Sequence, residues 1–409
     1  MTTQLRVLDP AEWDEWYAAI VAAFGGIPDA EEEVELWREL IVADRSLGVW
    51  DGSVCVAATS TFPFRISVPG GAVVPAAGVT GVGVLPTHRR RGLLTAMMRR
   101  QLDDVRERGE SLAVLTASEP AIYGRFGYGI ATMALSAEID TARVRVQLPP
   151  GADEVRLRYA KVEESLARCE ELYARLVPRR PGMLARMPGW DRMTSLDPVA
   201  HRGGGSPSQC VLAERDGELV GYARYRVSTT DGPAGVAGAV SLSTLEAVDP
   251  AVSAALWRYL FDIDLTTVLK VKDRPVDDPF QHLVSDVRRC APRLRDRLHL
   301  RLVELGAALE ARTYAAPVDV VLEVEDAFCP WNAGRWRLRG DAKGASCTRS
   351  DDPAELALSV RELGAAYLGG CTLASLAGAG RVRELRPGAL AEASTAFGSE
   401  LAPWLPHGF

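Results

Sequence analysis

Val82-Gly83-Val84-Leu85-Pro86-Thr87-His88-Arg89-Arg90-Arg91-Gly92-Leu93-Leu94 is the stretch on which the reading of this chain turns. An apolar run leads straight into a basic turn that ends at Gly92. Leu94, Met98, Leu102 and Val105 then recur at helical spacing, which predicts strand, turn and helix in succession. Such a junction is an anion site in outline. The first N–H groups of a helix lack intrahelical partners and lie at the positive end of its dipole; Arg89, Arg90 and Arg91 add charge, and Gly92 lets a phosphate approach the main chain. The turn fits neither the G-x-G-x-x-G nor the G-x-x-x-x-G-K-[ST] pattern.

Upstream, residues 4–8 predict a first strand, and Asp9-Pro10 opens a helix bearing Trp13, Trp16, Tyr17 and Ile20, with Asp9 as its cap. Residues 31–42 predict a second helix. Asp51-Gly52 is a hairpin signal between strands 46–50 and 54–64, and 79–85 continues the sheet. Downstream, 111–117 reads as a strand and 120–126 as a short helix or turn. A second passage repeats the outline: helix 162–176, strands 210–214, 218–226 and 240–247, helix 250–260 and strand 267–271, with Asp216-Gly217 at the matching hairpin. Its equivalent turn, Leu245-Glu246-Ala247-Val248-Asp249-Pro250, carries acids that would repel a pyrophosphate. From about Arg293 the pattern changes; 298–303, 318–324, 334–338 and 355–360 predict strands of an open sheet, and 361–367 and 388–397 predict helices.

The turn resembles the pyrophosphate loop of the GNAT acetyltransferases, whose pattern is Arg or Gln, two residues, Gly, one residue, then Gly or Ala. Arg89 and Gly92 fit, and Leu94 departs at the last position. Joined to Leu115-Thr116-Ala117-Ser118-Glu119 and Ile122-Tyr123-Gly124-Arg125-Phe126-Gly127-Tyr128-Gly129, the run 86–94 is similar to one branch of that superfamily, the Eis-type aminoglycoside and lysine N-acetyltransferases of actinobacteria. The resemblance implies an α/β fold of mixed sheets. Its parts would be a catalytic GNAT domain binding acetyl-CoA (1–150), a degenerate GNAT-like domain (151–290), and a sterol-carrier-protein-like α+β domain (291–409) that ends in the catalytic C-terminus. It further implies that the main chain of Val82, Gly83 and Val84 pairs with the pantetheine amides. Arg89, Arg90, Gly92, Leu93 and Leu94 would hold the pyrophosphate, and Ser118 would complete the coenzyme set. A homo-hexamer is also implied.

Composition sets outer bounds. At 409 residues the chain exceeds one ordinary core and predicts two or three domains. A net charge of −7 argues against a general nucleic-acid binder. The 7 cysteines are scattered and never form C-x-x-C, which argues against a disulfide framework or a zinc site and suits a reducing cytoplasm; no metal is expected. Met1-Thr2-Thr3-Gln4-Leu5-Arg6 lacks the pattern of a signal peptide, and no long apolar run predicts a membrane span.

Acetyl transfer from a thioester to an amine requires a positioned donor, a neutral amine, and a proton for the departing thiolate. Tyr123 and Tyr128 both qualify as proton donors by spacing; the resemblance selects Tyr123 as the general acid. None of the histidines sits in an obvious base motif, and the resemblance points instead to the carboxylate of the last residue, Phe409, at the end of the apolar, Pro-stiffened tail Trp404-Leu405-Pro406-His407-Gly408-Phe409. Phe24, Trp37, Glu119 and Glu400, with Asp29, are candidates for the amine pocket. The resulting expectation is direct attack of a small polyamine or aminoglycoside-like amine on acetyl-CoA. The alternatives are a protein lysine acetyltransferase acting on peptides and a non-catalytic acyl-CoA or lipid sensor.

Overall fold

The computed structural model describes residues 3–232 and 235–409; Met1 and Thr2, at the head of the stretch read for a leader, lie outside the described residues. Among the described residues three sheets carry the fold. The first runs Gln4–Val7, Ser46–Asp51, Val54–Ser67, Val73–Val84, Leu112–Thr116, Leu298–Leu302, Gly129–Ile130, with Leu184–Ala185 paired to the end of Val54–Ser67. The second runs Arg293–Asp296, Met133–Asp140, Val268–Pro275, Gly235–Ala247, Glu218–Gly232, Gln209–Arg215, Arg156–Ala160. The third, of five strands, runs Gly344–Arg349, Gly334–Asp341, Val318–Glu325, Leu356–Ser359, Val382–Glu384.

The local signals place the early elements well. Asp9 accepts the Ala11 N–H at 2.9 Å and starts the turn into helix Trp13–Ala23, whose Trp13, Trp16 and Ala19 pack on Trp50, Cys55 and Ala58. Strand Val73–Val84 begins six residues before the sequence reading puts it, because Val73 to Gly78 pair with the far half of the long strand Val54–Ser67.

One assignment is corrected. The pattern 298–303 reads as a strand of the last domain, yet Leu298–Leu302 inserts into the first sheet, antiparallel to Leu112–Thr116 on one side and to Gly129–Ile130 on the other. Leu-His-Leu-Arg-Leu alternates as a half-exposed strand would. Both faces are nevertheless buried, since His299 pairs with Asp296 at 2.9 Å and Arg301 with Asp326 at 2.7 Å. Met133–Asp140 makes the reciprocal move, leaving the first sheet to lie between Val268–Pro275 and Arg293–Asp296. The first and second sheets thus exchange strands.

The third sheet packs its Val320, Leu322 and Leu338 with helices Val360–Ala366, Leu373–Gly378 and Ala389–Ala396. The resulting core is continuous with Phe64, Leu112 and Leu300 of the first sheet. The second sheet has its own core around Val211, Val240, Leu256 and Trp257. Among the described residues no helix is long and apolar enough to cross a membrane.

Candidate active site

Two parallel strands make the site by parting. Val73–Val84 and Leu112–Thr116 pair only through Ala76–Leu112, Ala77–Ala113 and Gly78–Val114, although both continue beyond. The pairing of Val73–Val84 with Val54–Ser67 also slips by one residue, between Ala58 and Ser60, and Gly81 takes φ +60° there. Such a bulge bends the strand and supports its divergence from the parallel neighbour. The gap opens into a cleft of about 720 Å³.

One end of the cleft is the basic turn. Pro86–His88 forms a single 3-10 turn, Arg90 and Gly92 both adopt left-handed backbone (φ +62° and +80°), and helix Leu93–Glu107 follows. Gly92 brings no side-chain cap, and the first helical turn has no acid, so the helix N-terminus is left for an external anion. Arg89 is braced by the carbonyls of Val84 (3.3 Å) and Ala23 (3.4 Å), and Arg91 by that of Thr87 (2.9 Å). His88 lies 3.5 Å from Asp51. The second domain offers a direct contrast. At the start of its helix Pro250–Phe261, Asp249 accepts the Val252 N–H at 2.9 Å and pairs with Arg215 at 2.8 Å, so a carboxylate of the chain already occupies the place of an anion.

The other end holds Tyr123 and Phe409. Pro120–Phe126 is a 3-10 helix that buries Tyr123 against the cleft wall. Burial, and secondarily the Glu119 carboxylate, push the Tyr123 phenol up to about 12. Tyr128 meets it edge-on at 6.1 Å but is enclosed and does not reach the cleft. The Phe409 ring stands edge-on to Phe64 at 5.1 Å, and its main-chain oxygen accepts the Thr116 hydroxyl at 3.5 Å. Gly78 is required beneath it: an added Cβ would come 2.3 Å from Phe64 and 3.3 Å from Phe409.

Of the residues expected in the site, Val82, Gly83, Val84, Arg89, Arg90, Gly92, Leu93, Leu94, Ser118, Glu119, Tyr123, Phe24 and Phe409 all line this one cleft. Trp37, Asp29 and Glu400 do not. Trp37 is packed with Phe62 (6.0 Å) and Trp190 (6.2 Å), Asp29 accepts from the Tyr17 hydroxyl, and Glu400 is exposed where the tail begins. Thr116, Gly78 and Phe64 were not foreseen; only the fold brings them to the terminal residue. Among the described residues no cysteine lines the cleft. The arrangement can hold an anion at one end and, at the other, supply a protonated phenol beside a gap between strands whose main-chain groups are no longer paired with each other.

Comparison with known proteins places these features. Residues 4–131 match an acetyltransferase (GNAT) domain family, residues 182–302 a second such family, and residues 305–406 the sterol carrier protein domain family. An N-acetyltransferase of Streptomyces avermitilis is 66% identical over 409 residues, with the whole of each chain covered. The N-acetyltransferase Eis of Mycobacterium tuberculosis is 35% identical, covering 97% of this chain and 98% of that one. The crystal structure of Eis1 from Mycobacterium abscessus superposes with a TM-score of 0.85 at 34% identity, covering 100% of both chains.

Proposed function

The chain belongs to the Eis-type GNAT N-acetyltransferases, and from that premise we propose that it moves an acetyl group from acetyl-CoA to a small polyamine or aminoglycoside-like amine by direct attack. The observation that carries this reading is one cleft whose anion-ready helix start lies at one end and whose other end brings Tyr123 together with the terminal residue Phe409.

In this reading the pyrophosphate sits at Arg89 to Leu94 and the pantetheine amides pair along Val82 to Val84. The Phe409 carboxylate takes a proton from the amine as its nitrogen attacks the thioester carbon; the C–N bond forms, the C–S bond breaks, and Tyr123 donates to the sulfur. At neutral pH a phenol held near 12 keeps its proton, the form a donor needs. A thiol ionises near pH ~8.5, so much of the benefit comes as a hydrogen bond to charge developing on sulfur. A cysteine-borne intermediate has no support, since the cleft lining contains no thiol. The same reading carries a cytoplasmic setting and a homo-hexamer, the latter checked by mass in solution.

The test is thiol release from acetyl-CoA over aminoglycosides, polyamines, arylalkylamines and lysine peptides, with intact and Phe409-deleted chains. Turnover on a small amine, lost on deletion while coenzyme binding persists, is the expected result. Coenzyme binding with no turnover on any amine would favour a sensor, and turnover on peptides alone a protein acetyltransferase.

A further inference from the structure

The tail that delivers Phe409 to the cleft is held somewhere else. Ala402 is fixed through both of its main-chain groups by one ion pair. Asp277 Oδ1 accepts from Arg180 Nη1 at 2.6 Å, Asp277 Oδ2 accepts the Ala402 N–H at 2.9 Å, and the same Arg180 nitrogen donates to the Ala402 carbonyl at 2.8 Å. Charge-assisted bonds of this kind are stronger than those between neutral groups. Two residues on, the Trp404 N–H donates to the Pro181 carbonyl at 2.8 Å, and its indole N–H to the Asp273 carbonyl at 2.6 Å. The Arg274 guanidinium lies 4.8 Å over the Trp404 ring. Gly182, at φ +90°, permits the approach, since an added Cβ would meet the Trp404 main chain at 3.0 Å.

Every one of these partners belongs to residues 180–182 or 273–277, in the second domain's stretch of the chain, although the Gly182 N–H itself donates to Ser67 of the first sheet at 2.8 Å. That domain also has a pair of parallel strands, Gly235–Ala247 and Val268–Pro275, whose pairing stops at Leu242–Val271. Its gap is closed: Arg274 crosses it to the Leu245 carbonyl at 2.7 Å and to Asp278 at 2.7 Å, and Trp404 covers the guanidinium. The parting that opens a cleft in one copy grips the tail in the other. From Ala402 the chain runs to Phe409 through Pro403 and Pro406, each with a fixed φ, and through the buried Trp404 and Leu405. Such a stiff strap carries the placement of its anchored end to its free end.

We propose that Asp277 and Arg180 are positioning residues, setting from the second domain where the Phe409 carboxylate stands in the first domain's cleft. This rests on the reading of that carboxylate as the base. Asp277→Asn is the informative change: the amide matches the shape, but its NH2 cannot accept the Ala402 N–H, so one of the two carboxylate bonds is lost whichever way it turns.

Two readouts test it. Carboxypeptidase A, which removes free aromatic C-terminal residues, is expected to release Phe409 at least tenfold faster from Asp277→Asn, and from Arg180→Met, which lacks both donated bonds, than from the wild-type chain. With whichever amine in the panel turns over, kcat is expected to fall on the order of a hundredfold, the loss a misplacement of about 1 Å produces. The KM for acetyl-CoA should not move, and Arg180→Met should lower kcat in the same way. Unchanged release of Phe409, or a loss of turnover that appears in the KM for acetyl-CoA rather than in kcat, would overturn the proposal. If deleting Phe409 leaves turnover intact, the base reading fails while the protease rates still judge the strap. If deletion abolishes turnover and Asp277→Asn matches wild type, positioning alone fails. Trp404→Phe, which loses the indole N–H bond to Asp273 together with part of the ring beneath Arg274, repeats both measurements should Asp277→Asn not fold.

Discussion

Thr116 and Phe409, 293 positions apart in the chain, meet where the parallel strands separate: the threonine hydroxyl donates to the main-chain oxygen of Phe409 at 3.5 Å. At that length the bond is at the edge of the useful range and orients more than it holds. The ring stacked edge-on to Phe64 at 5.1 Å supplies the rest of the hold. Ring and carboxylate can therefore be separated by experiment. Phe409→Ala keeps the terminal carboxylate and loses the ring, and should retain a measurable fraction of turnover, about a tenth, whereas the deleted chain should show none above background. Equal loss in both would assign the effect to packing alone.

Tyr123→Phe removes one oxygen from a residue whose ring is already buried. Turnover should drop by about 10² to 10³, within the usual contribution of a positioned acid, with acetyl-CoA affinity unchanged by calorimetry. Tyr128→Phe is the control. Its hydroxyl is enclosed and unpartnered among the described residues, so turnover should move by less than about threefold and stability should hold or rise.

Gly92→Ala addresses the anion turn. No atom lies within 4 Å of the added Cβ, so space is not the obstacle, but φ +80° strains any residue with a side chain. A penalty of about 1–2 kcal/mol would fall on the turn that presents the helix N–H groups, weakening acetyl-CoA binding roughly tenfold. Binding as tight as wild type would mean that the arginines alone hold the anion.

His407 connects the tail to pH. An exposed histidine takes a proton near pH 6.5; here burial first, then Arg186 and Arg297, push it down to about 3. The folded value is depressed, so the neutral ring's contribution is complete above pH 6.5 and is lost as pH falls toward 3, by up to about 1.4 kcal/mol per pH unit. Glu246, pushed up to about 7 by burial, runs the opposite way between 4.5 and 7. The clean measurement is accordingly the difference in urea midpoint between wild type and His407→Gln at several pH values. Any wild-type advantage at pH 7.5 should shrink steadily below pH 6.5. A difference independent of pH would show that His407 takes its proton as readily in the fold as out of it.

What the sequence discloses is what neighbours in the chain decide. The turn 86–94, the hairpins at Asp51-Gly52 and Asp216-Gly217, and the acid at Asp249 are local chemistry, and the fold places them as read. Trp37 could have been withheld from the pocket on the same grounds: it shares one helix stripe with Val34 and Ile41, all three packed against a hydrophobic core. Glu400 lies near Phe409 in sequence, but the stiffened tail between them leads away from it to the cleft. The destination of Leu298–Leu302 was hidden because His299 and Arg301 read as solvent-facing until their acidic partners are known. The clasp on Ala402 joins residues 97 and 222 positions from Arg180, and no window of the chain contains it.

The exchange of Met133–Asp140 for Leu298–Leu302 also governs how the molecule can come into being. As the chain leaves the ribosome, the first sheet lacks an interior strand until Leu302 has emerged, and until then Leu112–Thr116 presents an unpaired edge. A gene fragment ending anywhere between Asp140 and Arg293 encodes neither sheet whole. The two acetyltransferase-like halves, though similar in plan, are thus obliged to complete their sheets together.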